Sequence, residues 1–453
     1  PRAHAHPRAP TRHFSASARG QRAEPVLAVL PALSLPLVAW RIFAASGAPW
    51  RTHPRPPAPR RYLVVGAGYS GLLVAARLLS RGHEVVVVDA QRGVGGSWRD
   101  RANSWSRTEA PAGVYMRPFG GRGVRAWTRD EVIRAFEGFA RDEGLTPHLR
   151  FGVTCTHFHP EEQDEDGGDG EAAVDGGKGA RAQVAADPRR LRVTLRGHCG
   201  EELTTSSFDG AVLCTGTAMR ARGVRPPMSD HPHAYTASAE GRKIGSGARG
   251  RVVVVGGGSF AMEAADELAR RPEVTHVHVV MRRPKLLFDA RRTARTLALL
   301  CLPIPSSWKR RALLPTYDAH GLAHTLPAPD RLFDFHTTSS SVSLFADPLR
   351  VRVHIATVNA IERTRGGEGG GEHGSDAWHA VLCTGELLPC DCVVDATGAG
   401  VDPRLGALFD GVGLAPRVAF VGDVVNGIGV WTIDAQIDAV ERHLRGGGAR
   451  RGL

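Results

Sequence analysis

The sequence predicts an α/β fold with two Rossmann-like dinucleotide-binding domains. Three observations predict it. A glycine turn, Gly66-Ala-Gly68-Tyr-Ser-Gly71, follows a short apolar run and opens an amphipathic one. A second turn of the same kind, Gly256-Gly-Gly258-Ser259-Phe260-Ala261, recurs far downstream in the same setting. Each is followed by another buried apolar run with charged residues at its tip.

In the first unit, Tyr62 to Val65 reads as a strand, Leu72 to Ser80 as a helix, and Glu84 to Val88 as a second strand closed by Asp89. Gly66 permits the tight turn, Gly68 lets the backbone approach a pyrophosphate, and Gly71 lets helix pack on strand. The helix N-terminus offers N–H groups and positive potential to phosphates. Asp89 stands where an acid accepts hydrogen bonds from ribose hydroxyls.

In the second unit, Arg251 to Val255 is the strand, Met262 to Ala269 the helix, and HVHVVM (276–281) the next strand; Ala261 takes the third glycine's slot. No acid closes this strand. Arg282 and Arg283 stand there instead. An acid would repel a 2′-phosphate and a guanidinium can clasp one, so the second loop favours NADPH over NADH. The alternative is a solvated strand end.

The residues after Asp89 narrow the reading. Gly93-Val94-Gly95-Gly96-Ser97-Trp98 contains GGSW, which resembles the G-G-x-W of class B flavin monooxygenases, the group of flavin-containing monooxygenases and Baeyer–Villiger enzymes. The resemblance runs from about Arg61 to Leu444. It implies that the first loop, with Gly95, Gly96 and Trp98, holds FAD. It also implies that the NADPH domain, 226–395, is inserted between two halves of the FAD domain, 61–225 and 396–453. Related flavoproteins carry an Asp that reaches the ribityl chain of FAD. VAFVGDVVNGIGVWTIDAQIDAV (418–440) places Asp423 there, a helix-capping acid being the alternative.

Other points of resemblance are structural. DEVIRAFEGFARDEGLTPHLRFGVTCT (130–156) is similar to the family's helix that leads into a strand crossing the FAD site. His231-x-x-x-Tyr235 fits the second half of the fingerprint F-x-G-x-x-x-H-x-x-x-Y/W, while Arg225 and Pro227 occupy its Phe and Gly positions. That stretch is expected to be a linker, with a structural histidine. DGAVLCTG (209–216) and CVVDATG (392–398) resemble paired crossing segments. The six-mer AVLCTG recurs at 380–385, where a hairpin turn is expected.

The implied activity is hydride transfer from NADPH to N5 of FAD, addition of O2 at C4a, and delivery of one oxygen to a small substrate: a nucleophilic nitrogen or sulfur, or a carbonyl. No protein residue carries the electrons, and no residue stands out as a catalytic acid or base. In SWSRTEAP (104–111), Glu109 stands where flavin-containing monooxygenases bring an Asn over the flavin. That departure supports an alternative, an NADPH-driven flavin oxidase or reductase. A flavin-binding redox sensor is a third reading, against which two intact loops speak. Disulfide reductases of this architecture carry a cysteine pair after the glycines; WRDRANSW has none.

Composition agrees. The chain has 453 residues and a net charge of +12. Residues 1–61 hold ten arginines against one acid, a surplus of nine that leaves three for the rest. A body so weakly basic is not built for nucleic acid. Residues 1–60 read as a targeting segment and linker, with the Arg-, Ser- and Ala-rich character of a transit peptide and hence an organellar location, mitochondrion or plastid. VLAVLPALSLPLVAW (26–40) is short for a membrane span and holds two prolines; an anchor over 26–45 is the alternative. The seven scattered cysteines suggest reduced, mostly buried thiols. The runs 161–178 and 363–377, acidic or glycine-rich, read as long hairpin tips. The irregular stretch 284–350 is expected to line part of the substrate approach.

Overall fold

The computed structural model describes residues 58–109, 111–160, 190–216, 219–220, 224–237, 244, 246–289, 296, 299–300, 302–332, 338–364, 377–398, 400–401, 418–420 and 440. Its first unit runs β1 (Arg61–Val65), α1 (Tyr69–Ser80), β2 (Glu84–Asp89), α2 (Arg129–Asp142) and β3 (Leu149–Phe151). An antiparallel meander follows, β4 (Thr154–Pro160), β5 (Leu191–Arg196) and β6 (Glu202–Phe208), and then β7 (Gly210–Leu213).

The chain continues through β8 (Ala234–Thr236) to β9 (Gly250–Val255), α3 (Ser259–Ala269) and β10 (Val274–Met281). Then come β11 (Leu286–Asp289), α4 (Ser306–Ala319), β12 (Thr338–Ser341) and β13 (Val351–Ile355). A second meander, β14 (Val358–Thr364), β15 (Ala377–Leu382) and β16 (Leu387–Pro389), leads to β17 (Cys392–Asp395); β18 is Val418–Phe420.

Among the described residues, two parallel sheets organise the molecule. The first has the order β18-β7-β1-β2-β3, the second β13-β10-β9-β17-β8. The chain thus builds one pattern twice: a glycine-loop strand at the centre, its βαβ partner on one side, and a crossing strand on the other. The α/β fold expected from the sequence is borne out.

Both central strands are apolar because both of their faces are covered. Val64 of β1 lies in one core with Leu72, Leu78 and Phe136, while Leu63 and Val65 lie in another with Phe158, Val193 and Phe208 of the meander. Val252 and Val254 of β9 pack with Met262, Ala265 and Leu268 of α3, and Val253 and Val255 with Ile361, Ala380 and Leu388 of the second meander. Each of these buried Val, Leu, Ile, Phe and Met side chains contributes about 1.5–3 kcal/mol.

Both expected hairpins form, with 161–178 and most of 363–377 at their tips and outside the described residues. The repeated six-mer does two jobs. Ala211 to Leu213 are central strand, paired with β1 and β18. Ala380 to Leu382 are meander, turning at Gly385, whose φ is +83°. Among the described residues, no helix is long and apolar enough to cross a membrane; the span 26–45 lies outside them.

Helix α2 shows what a purely structural helix start looks like. Thr128 caps it and Glu131 reaches back to the Thr128 N–H, a complete capping box. Hydrogen bonds from Arg125 and from the Thr128 backbone hold the Glu131 carboxyl down at about 2. A depressed carboxyl gives stability that is fully present above its ordinary value, 4.5, and is lost as the pH falls through about 2. Thr128→Ala is expected to lower stability by about 1 kcal/mol. Denaturant unfolding should show Glu131→Gln losing the wild-type chain's acid dependence in that window.

Candidate functional site

The two glycine turns are closed by the same pair of backbone hydrogen bonds. Gly66 N donates to Val88 O and Gly256 N to Val280 O, both at 2.8 Å. Cys214 N donates to Val65 O and Ala396 N to Val255 O, again both at 2.8 Å. Gly66 has φ +108° and Gly256 φ +137°; a Cβ on either would sit 2.5 Å from Cys214 O or 2.3 Å from Ala396 O. Only glycine lets the crossing strands close this tightly on the turns. The turns differ in the third slot. A Cβ on Gly71 would lie 1.8 Å from Gly66 O, whereas Ala261 is accommodated, fully buried.

The GGSW turn rests on the first loop. Gly95 N donates to Ala67 O at 3.1 Å. Gly68 and Gly96 meet backbone to backbone, a Cβ on Gly68 falling 3.3 Å from Gly96 Cα. Trp98 packs at the edge of the first core, where Tyr115 lies beside it; burial raises the Tyr115 pKa, the Trp98 hydrogen bond opposes this, and Glu109 adds to it. Asp89 is buried at the tip of β2. Its carboxylate accepts from Ala67 N at 2.6 Å and Gln91 N at 2.8 Å. Burial pushes this carboxyl above the usual range and the two N–H donors pull it back. Asp89 therefore holds the glycine loop in shape, and each oxygen retains a further lone pair for a hydroxyl.

Both helices that open from the glycine turns, α1 at Gly68 and α3 at Gly258, start without a side-chain cap. α2 has the full box. Uncapped starts leave backbone donors and the positive end of the helix dipole to an anion. Among the described residues, a Cβ built on Gly258 meets nothing within 4 Å, so the second turn faces open space there. Ser259 begins α3. Arg282 and Arg283 lie exposed just past β10. Lys285, which the sequence reading passes over, runs beside the second loop: a Cβ on Gly257 would be 3.1 Å from its Cδ. The basic run RRPK was the available signal.

The segment after GGSW joins the two halves. Asn103 Nδ2 donates to Ala237 O at 2.7 Å, just past β8. Ser106 Oγ donates to Glu263 Oε2 at 2.5 Å, and Arg107 N to Glu263 Oε1 at 3.2 Å. Glu263 lies one turn into α3. Glu109 is exposed nearby. The contacts of Asn103, Ser106 and Glu263 are not legible in the sequence; the one hint is the first of three carboxylates set among the alanines of SFAMEAADELA.

His231 is buried, its Nδ1 accepting from His233 N at 3.0 Å, with its ring against Trp378. Burial lowers its pKa. These are the surroundings of a structural histidine. Asp423 lies outside the described residues. Cys155, Cys214, Cys390 and Cys392 are buried free thiols, and burial pushes Cys155, Cys390 and Cys392 to about 12. Among the described residues, no thiol pair is poised for redox exchange beside either loop.

Two family models match parts of the chain: an NAD(P)-binding Rossmann-like domain at 64–136 and a pyridine nucleotide-disulphide oxidoreductase domain at 168–300. Solved structures share the fold over most of the chain. An open form of cyclohexanone monooxygenase aligns over 85% of this chain and 87% of its own, with a TM-score of 0.55 at 15% identity. This chain has the fold of the class B flavin monooxygenases.

The S-allyl-L-cysteine S-oxygenase of Allium sativum aligns over 85% of the chain and 77% of its own, with a TM-score of 0.52 at 15% identity. In sequence, the FAD-binding monooxygenase ausB of Aspergillus calidoustus is 29% identical over 251 residues, 50% of this chain and 36% of that protein. An uncharacterized monooxygenase, y4iD, of Sinorhizobium fredii is 29% identical over 97 residues, 21% of this chain and 15% of that protein. The matches thus span about a third or less of those two proteins. The family resemblance read from GGSW and the paired loops is borne out.

The geometry separates glycines that close the fold from those that face open space. Gly71→Ala is expected to cost about 3 kcal/mol of stability through overpacking. Gly258→Ala should cost less than about 1 kcal/mol, its effect falling on nucleotide affinity instead. Thermal unfolding alongside nucleotide titration measures both; equal destabilisation by the two variants would contradict this division.

Proposed function

We propose that this chain is a FAD-dependent, NADPH-consuming monooxygenase that inserts one oxygen of O2 into a small nucleophilic nitrogen or sulfur substrate, or a carbonyl. The observation that carries the reading is the pairing of two equivalent, uncapped glycine turns in one chain, only one of which is abutted by GGSW. Gly66, Gly68, Gly71, Asp89, Gly95, Gly96 and Trp98, with Asp423, would hold FAD. Gly256, Gly258, Ser259, Ala261, Arg282 and Arg283 would hold NADPH. The residues fit these groups: the described residues leave open space beside Gly258, and two exposed guanidiniums suit a 2′-phosphate. One of the aligned structures is a steroid monooxygenase bound to NADP.

When bound, FAD supplies the hydride acceptor and the oxygen-activating ring. The chain's residues bind both nucleotides, orient them across the junction of the two halves, and keep water away. Gly68 and Gly96 would offer close backbone approach to the pyrophosphate, and Asp89 holds the loop that would do so. A second reading, an NADPH oxidase that releases peroxide, draws on the acidic junction at Glu109 and Glu263. In either reading residues 61–225 and 396–453 form the FAD domain and 226–395 the NADPH domain, and 1–60 direct the chain to an organelle.

The purified protein is expected to be yellow, to bleach with NADPH without air, and to consume oxygen in step with substrate on readmission. Oxygen use that yields peroxide with every substrate offered would favour the oxidase. Reversing both guanidiniums, Arg282→Glu with Arg283→Glu, should raise the KM for NADPH at least tenfold more than that for NADH, by roughly 1.4 kcal/mol or more in differential binding. Steady-state kinetics with both nucleotides decides it, and an equal effect would refute the 2′-phosphate role. Fluorescent fusion of residues 1–60 tests the targeting.

A further inference from the structure

The contact between Glu263 and the segment Asn103–Glu109 has no part in holding either nucleotide as argued above. That segment is gripped from two sides. From its own half, Thr108 N donates to Trp127 O, Trp127 N to Thr108 Oγ1, and Arg129 N to Ser106 O, at 2.8, 3.0 and 2.9 Å. From the other half, Ala237 O takes Asn103, and Glu263 takes both Ser106 and Arg107. The chain enters the segment directly from the GGSW turn, and Glu263 stands one turn from the open glycine loop. One carboxyl therefore ties the neighbourhood of the first nucleotide loop to the helix of the second.

We propose that Glu263 is a positioning residue, docking the Asn103–Glu109 segment onto the second nucleotide helix through a carboxyl–hydroxyl pair that loosens when it loses its proton. The groups around it are acidic. Glu109 faces it from the docked segment and Asp266 from its own helix. Asp266 is itself buried, accepting from Ser341 Oγ and from the backbones of Val342 and Ser343. The sheet beneath α3 contributes valines, Val252, Val254, Val277 and Val279, to the same core.

Burial is the largest influence on Glu263, raising it to about 7 from 4.5; Glu109 and Asp266 add to this, and the donors from Ser106 and Arg107 oppose it. Undocked and solvated, the carboxyl returns toward its ordinary value. The docked state then binds the proton more tightly than the undocked one. Its advantage is complete below about pH 4.5 and is lost as the pH rises through about 7. Opening the junction releases that proton to water.

The docking does not depend on the activity proposed above. The test is hydrogen–deuterium exchange of the full-length protein, with and without FAD, followed in the peptide covering 103–109. After correction for intrinsic exchange rates, protection in the wild type should fall roughly tenfold between about pH 6 and about pH 8. Glu263→Gln, neutral at every pH, able to accept from Arg107 N through its one oxygen and to donate to Ser106 Oγ through its amide, should hold its protection across that range. Ser106→Ala should lower it at every pH. If Glu263→Gln keeps the wild-type slope, or Glu263→Ala leaves protection unchanged, the proposal is overturned. A chain that retains no flavin would defeat the proposed function, yet the exchange measurement on it would still decide the docking.

Discussion

The structure depends on two backbone approaches: the crossing strand's carbonyl against a glycine with positive φ, Cys214 O against Gly66 and Ala396 O against Gly256. Each approach places three strands side by side with a turn at their ends. Each leaves room for a helix to start at the turn without a side-chain cap. A Cβ at either position would force the crossing strand outward, and the two-faced core of β1 or β9 would lose its continuity. The sheets, the meanders behind them and the open face at Gly258 all follow from that closeness.

Much of this is legible in the letters. An apolar run, a glycine pattern and an amphipathic run are local signals, and the strands of both units fall where the sequence places them. The helices begin earlier than the apolar period suggests, at Tyr69 and Ser259 and not at Leu72 and Met262, because their first turns are made of glycine-motif residues that carry no apolar period of their own. Asp89 was legible as a conspicuous acid; its hold on Ala67 N was not, since that is a fact of geometry.

What the letters hide is long-range. Ser106 and Glu263 are 157 positions apart, Asn103 and Ala237 134 apart, and no periodicity connects them. The repeated AVLCTG makes the same point from the other direction. One copy is core strand between two parallel neighbours and the other is the edge of a turn. The strands around each copy decide its conformation, because a hexamer's own preferences are worth less than its burial.

The duplicated plan extends to where extra chain has been added. The acidic run 161–178 joins the first two strands of one meander, and the glycine-rich run 363–377 joins the first two of the other. These are corresponding joints in the two halves, both at the ends of hairpins whose register is held by apolar pairs. Lengthening such a connection costs little, since closure entropy grows only with the logarithm of loop length. The molecule thus offers a matched pair of splice points, at which a reporter domain can be grafted into either half.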